Sequence, residues 1–101
     1  MASSKEYLEF ILDQLSDLDG ISSKKMMGEY ILYYHGRIIG GIYDDRFLVK
    51  KTETAKILLK YAPSVSPYEG AKEMLLVEDV DNRDFLDMLF NAIFDELPPK
   101  R

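Results

Sequence analysis

Apolar positions recur with helical spacing near the start of the chain: Leu8, Ile11, Leu12 and Leu15 fall at i, i+3, i+4 and i+7. Glu9, Asp13 and Asp17 occupy the opposite face, so the pattern predicts an amphipathic helix over 3–18. Ser3 and Glu6 have capping-box spacing, and Asp19-Gly20 supplies a stop. The period then changes. Residues 26–51 read as a three-stranded meander with runs Tyr30–Tyr34, Ile38–Tyr43 and Phe47–Val49, rich in β-branched and aromatic residues. His35-Gly36 and Asp44-Asp45 are the turns between them. Gly40-Gly41 inside a strand predicts a bulge or a close approach by another backbone. A short helix follows over 52–61, ended by Pro63, and residues 62–71 are a loop by their Pro, Ser and Gly content. Residues 72–80 form a fourth strand centred on Met74–Val77, and Asp81 caps a last helix over 82–97 that Pro98-Pro99 terminates.

The last helix has an unusual pattern. Asp84, Asp87, Asn91 and Asp95 make a polar stripe only about 80° wide, leaving an apolar arc of about 240°. A helix lying on one sheet buries a stripe somewhat over 100°, so the surplus needs a second neighbour. Met88 and Phe94 flank the stripe on opposite sides, and Met88, Phe90 and Phe94 are the candidate interface residues. Either the first helix covers them or a second subunit or partner does.

Length changes this picture little: 101 residues make one domain, residues 1–101, with a basic tail at 98–101. The expected fold is α+β, an antiparallel sheet of four to five strands (the meander plus a later strand) with flanking N- and C-terminal helices. The formal charge is −5, the wrong sign for a wholesale nucleic-acid binder. Yet residues 21–60 carry eight bases and four acids, so Lys24, Lys25, Arg37, Lys50 and Lys51 are a candidate nucleic-acid patch. The plainer alternative pairs them with the acidic helices. There is no cysteine, which excludes disulfides, thiolate metal sites and a thiol nucleophile, and the lone His35 sits in a predicted turn. No signal peptide is read at the N-terminus, and no apolar run approaches the roughly 20 residues of a membrane span. A soluble cytoplasmic protein is expected.

Reactive constellations are absent from the pattern. Asp44-Asp45 and Asp79/Asp81 sit at strand ends, where aspartate supplies turn hydrogen bonds. Residues 79–84 lack the glycine of an EF-hand loop, and Gly36-x-x-x-Gly40-Gly41 has the wrong spacing for a dinucleotide loop. No catalytic residue, metal site or cofactor is expected. Tyr30, Tyr33, Tyr34 and Tyr43 with Phe47 are either core or a base-stacking platform on the sheet.

Lys25-Met26-Met27-Gly28-Glu29-Tyr30, followed by Leu32-Tyr33, Gly36, Gly40, Asp44-Asp45 and Leu48-Val49-Lys50, resembles the signature of the TfoX (Sxy) N-terminal domain family. The motif positions are Lys25, Met26, Gly28, Tyr33, Gly36 and Lys50, with Met27 where that family usually has Phe and Glu29 where it usually has a second Gly. Pro67-Tyr68, the strand at 73–77 and the helix after Asp81 fit its second half, so the resemblance spans approximately residues 5–97. It implies a curved antiparallel sheet with flanking helices and no transferable catalytic residue. It also implies kinship with regulators of DNA-uptake (competence) genes, here as a stand-alone domain. The leading expectation is therefore a non-enzymatic, regulatory protein-interaction module with a protein partner or a second copy of itself. Nucleic-acid binding through the central basic patch, or small-molecule binding, are the alternatives.

Overall fold

Strand alternation organises the molecule. In the computed structural model, which describes residues 3–98, Tyr30, Leu32 and Tyr34 of one strand are buried while Glu29, Ile31 and Tyr33 between them are half-exposed. A pleated strand sends successive side chains to opposite faces, so this strand has an inner and an outer side. The chain runs α1 (Lys5–Gln14), β1 (Ile21–Met26), β2 (Glu29–Tyr34), β3 (Arg37–Tyr43), β4 (Arg46–Val49), α2 (Glu53–Leu58), β5 (Ser64–Val65), β6 (Met74–Leu76) and α3 (Arg83–Ile93), with a 3-10 turn over Phe94–Glu96. The strands form one antiparallel sheet in the order β1-β2-β3-β4-β6-β5.

The α+β class stands, but the sheet has six strands rather than four to five. β1 has apolar residues only at its two ends, and it forms because pairing from Ile21↔Tyr34 to Met26↔Glu29 completes the edge of β2. β5 is two residues inside the expected loop. The connections β1–β2, β2–β3 and β3–β4 are two-residue turns at Met27-Gly28, His35-Gly36 and Asp44-Asp45, each with positive φ at both positions. That geometry is the I′ turn, whose twist matches the flanking strands. Between Leu32 and Tyr33 the β2–β3 register shifts, leaving Ile39 as the extra residue of a bulge. Beside it, a side chain on Gly40 would meet the Leu48 carbonyl oxygen at 2.1 Å, the close backbone approach expected from the Gly40-Gly41 pair.

Helix limits are shorter than their patterns. α1 is capped by Ser4, whose hydroxyl accepts from the Tyr7 amide at 3.2 Å, and not by Ser3. Ser3 is buried elsewhere, in a knot around Glu29. The Ser3 amide and hydroxyl donate to Glu29 Oε1 at 2.9 and 2.6 Å, and the Asp44 amide donates to Glu29 Oε2 at 3.1 Å. One carboxylate therefore ties Ser3 to the β3–β4 turn. α2 is capped by Thr52 and α3 by Asn82, the residue after the expected Asp81. The tail residues 99–101 lie outside the described residues.

All three helices pack on the inner face. Leu8, Ile11 and Leu15 and, from α3, Leu86, Leu89, Phe90 and Ile93 meet Tyr30, Leu32, Ile42, Phe47 and Val49 of the sheet, with Ala55 of α2. The helices are also pinned to each other: Arg83 donates to the Asp13 carbonyl at 2.7 Å and to its carboxylate at 3.0 Å, and Gln14 donates to the Val80 carbonyl at 2.8 Å. The wide apolar arc of α3 is thus filled mostly from within. Phe90, expected among the interface residues, is 0% exposed, its ring 6.1 Å from Phe47 and 5.9 Å from Tyr34. It is a core residue, because α3 packs on the sheet with α2 beside it and α1 pinned at its start, rather than on the sheet alone.

Candidate functional site

With every helix on one side, the outer face of the sheet decides what the molecule can touch. Cross-strand partners share a face, so Ile31, Gly41, Leu48 and Leu76 form one outward row and Tyr33 and Ile38 another. This face has two halves. Toward β4 and β6, Leu48 and Met74 are buried yet stand apart from the main core, and Met74 shares a hollow with Pro67 and Tyr68 of the chain between β5 and β6. Toward β1 to β3 no helix covers the sheet among the described residues. Ile31 and Tyr33 are half-buried, and Ile38 is 37% exposed. The sequence alternatives for the tyrosines therefore resolve by parity: Tyr30 and Tyr34, like Phe47, are core, while Tyr33 and Tyr43 point outward.

A cavity of about 480 Å³ opens where the two halves meet, with Ile38, Tyr43 and Lys50 on the sheet side and Pro67, Tyr68 and Lys72 on the loop side. The Tyr43 ring lies over Gly41, where a side chain would stand 2.6 Å from it. Burial, reinforced by Tyr68, Glu29 and Tyr33, pushes the Tyr43 phenol above its ordinary range, so it stays a neutral hydrogen-bond donor. Lys51 faces Glu73 at 3.6 Å. Glu96, also on the cavity wall, is engaged elsewhere: its oxygens accept from the Thr54 hydroxyl at 2.7 Å and amide at 3.0 Å. Those bonds hold its carboxyl below the usual range. Lys50 and Lys72 make no ion pair among the described residues.

The remaining expected site residues are scattered. Lys24 and Lys25 are exposed on β1, three strands from the β4 exit that carries Lys50 and Lys51, a separation of roughly 14 Å across the sheet alone. Arg37 is spent internally. Its guanidinium stacks 4.6 Å from the Phe94 ring centre and donates to the Phe94 carbonyl at 3.3 Å. The five bases do not form one patch. Phe94 is half-buried by Arg37, Tyr34 and His35, and of the expected interface trio only Met88, 45% exposed, is a surface residue. Among the motif positions, Gly28 and Gly36 serve turns, Lys25 is exposed at the edge, and Met26, Tyr33 and Lys50 belong to the outer side or the cavity. Tyr68 and Lys72 were not among the candidates. The signals for them were a tyrosine in a Pro-, Ser- and Gly-rich loop and the Pro67-Tyr68 pair of the family resemblance. Among the described residues no three His, Asp or Glu side chains cluster as metal ligands, and no helix is long and apolar enough to cross a membrane.

A small α+β domain, helices on one face and an aromatic sheet open on the other, is the class this geometry defines. The chain belongs to the TfoX N-terminal domain family, whose profile matches residues 13–85. It is also similar to an uncharacterized 12.7 kDa protein in the trpE 5′ region of Spirochaeta aurantia, 31% identical over 80 residues that cover 79% of this chain and 70% of that protein. No solved structure matches the chain at a significant level.

Proposed function

We propose that this domain is a non-enzymatic, regulatory interaction module that receives a protein partner on the open half of its sheet. The observation that carries the reading is the group Ile31, Tyr33 and Ile38, drawn from two neighbouring outward rows, partly exposed and uncovered among the described residues, on the face opposite all three helices. Rigid aromatic and branched side chains on a flat surface supply contact area at low entropic cost. The kinship with competence regulators that the motif implies supports a regulatory role. The burial of Phe90 in the core and the stacking of Arg37 on Phe94 favour the sheet over the last helix as the partner surface.

The test is affinity capture from the native cell with the wild-type domain and with Tyr33→Asp, alongside light scattering of each. The reading expects a specific companion protein that Tyr33→Asp loses while retaining its circular dichroism spectrum. A wild-type domain that captures nothing above background, or a companion held equally by the variant, refutes it. Concentration-dependent dimerisation abolished by Tyr33→Asp makes the partner a second copy.

A further inference from the structure

The geometry points to a second binding site that adjoins the open face at Ile38: the cavity beneath Tyr68 takes a small single-ring aromatic anion, a carboxylate or a phosphate ester, with its charge between Lys50 and Lys72 and its ring against Tyr43 and Tyr68. The size fits, since about 480 Å³ lies within the range of roughly 300–1,000 Å³ that small-molecule sites occupy. The charge fits as well. In a chain of net charge −5, three lysines line one hollow. Of the two acids on its wall, Glu73 faces Lys51 and Glu96 is held by Thr54. That leaves two ammonium groups, Lys50 and Lys72, without counter-charge among the described residues in a concave wall that focuses their field. Apolar contact comes from the two tyrosine rings and Ile38, which favour a flat partner. The Tyr43 phenol adds a neutral donor. Either anion alone, or the ring alone, uses half of these groups.

This inference does not depend on the protein-partner reading, and its test differs. Amide spectra of the ¹⁵N-labelled domain are titrated with 4-hydroxyphenylacetate and 4-nitrophenyl phosphate, with benzyl alcohol and inorganic phosphate as the ring-only and charge-only controls. Expected is saturable movement of signals at Lys50, Tyr68 and Lys72 by at least one aromatic anion, with affinity about tenfold or more above both controls. Which of the two binds more tightly distinguishes carboxylate from phosphate. Lys72→Glu, on an exposed loop position that bears no core contact, weakens that binding about tenfold or more, and Tyr68→Ala weakens it too. No saturable movement for either anion up to about 10 mM overturns the proposal. So does movement mapping away from the cavity, controls that bind as well, or an affinity indifferent to Lys72→Glu.

Discussion

Replacing Gly40 by alanine puts a methyl carbon 2.1 Å from the Leu48 carbonyl oxygen and 2.9 Å from the Val49 Cα, both of them backbone of the neighbouring strand. Non-bonded carbons rest at about 3.5–4.0 Å, so β3 and β4 must part by roughly 1 Å. The Gly40↔Val49 pairing and the bond from the Lys50 amide to the Ile39 carbonyl, 2.8 Å long, lie at that point. An added 1 Å or so takes such bonds beyond useful range, and each buried group left unpaired costs about 1–3 kcal/mol. The expected loss is about 3–5 kcal/mol, a large part of the roughly 5–15 kcal/mol that holds a small domain. Urea titration followed by circular dichroism measures it, and a parallel melt should drop by roughly 15–30 °C. Gly70→Ala is the control. Gly70 has φ +85° but nothing within 4 Å of a new side chain, so only the left-handed backbone is strained, by about 1–2 kcal/mol. If Gly40→Ala is no less stable than Gly70→Ala, the close approach of the two strands is not as described.

Three further outcomes are expected. Glu29→Ala removes the acceptor shared by the Ser3 amide, the Ser3 hydroxyl and the Asp44 amide, and should lower stability by about 1–3 kcal/mol in urea; a loss under about 0.5 kcal/mol would show that the knot is ornamental. Phe90→Ala should cost about 3–5 kcal/mol and Met88→Ala less than about 0.5 kcal/mol, and comparable losses for the two would contradict their placement in core and surface. Asp87 keeps one carboxylate oxygen out of water with no hydrogen-bond partner among the described residues, and burial, then Asp17 and Asp84, raise its pKa against the pull of Arg83. The folded state therefore binds this proton more tightly than the unfolded state, and stability falls as pH rises through the raised pKa. Asp87→Asn should gain on the order of 0.5 kcal/mol at neutral pH, little because the group is screened, and nothing below the ordinary carboxylate range; an equal gain at every pH would refute the assignment.

Much of this architecture was readable along the chain because its signals are local. β2 to β4 announce themselves through runs such as Tyr30–Tyr34, and the turns through His35-Gly36 and Asp44-Asp45. β1 escaped because Ser22, Ser23, Lys24 and Lys25 have no strand character of their own; the edge of β2 makes them a strand. Ser3 looked like a helix cap because its use by Glu29 spans 26 positions. The same limit governs the site. Lys50 and Tyr43 were visible as a motif lysine and a strand tyrosine, yet nothing adjacent to them tells that Tyr68 and Lys72 fold over to face them. Arg37 likewise looked available until the stacked ring of Phe94, 57 positions away, was in place.

The run of three two-residue turns has a kinetic consequence. Four successive strands each find their neighbour almost immediately along the polypeptide, so most of the ladder can zip up before any distant segment arrives. Among the described strand pairings only β4–β6 closes a large loop, while the Ser3 knot and the bonds from Arg83 to Asp13 and from Gln14 to Val80 join distant segments. Stopped-flow refolding should therefore run at the quick end for a sheet protein, with the hairpin series ordered in the rate-limiting ensemble and the Val49–Leu75 pairing formed after the barrier.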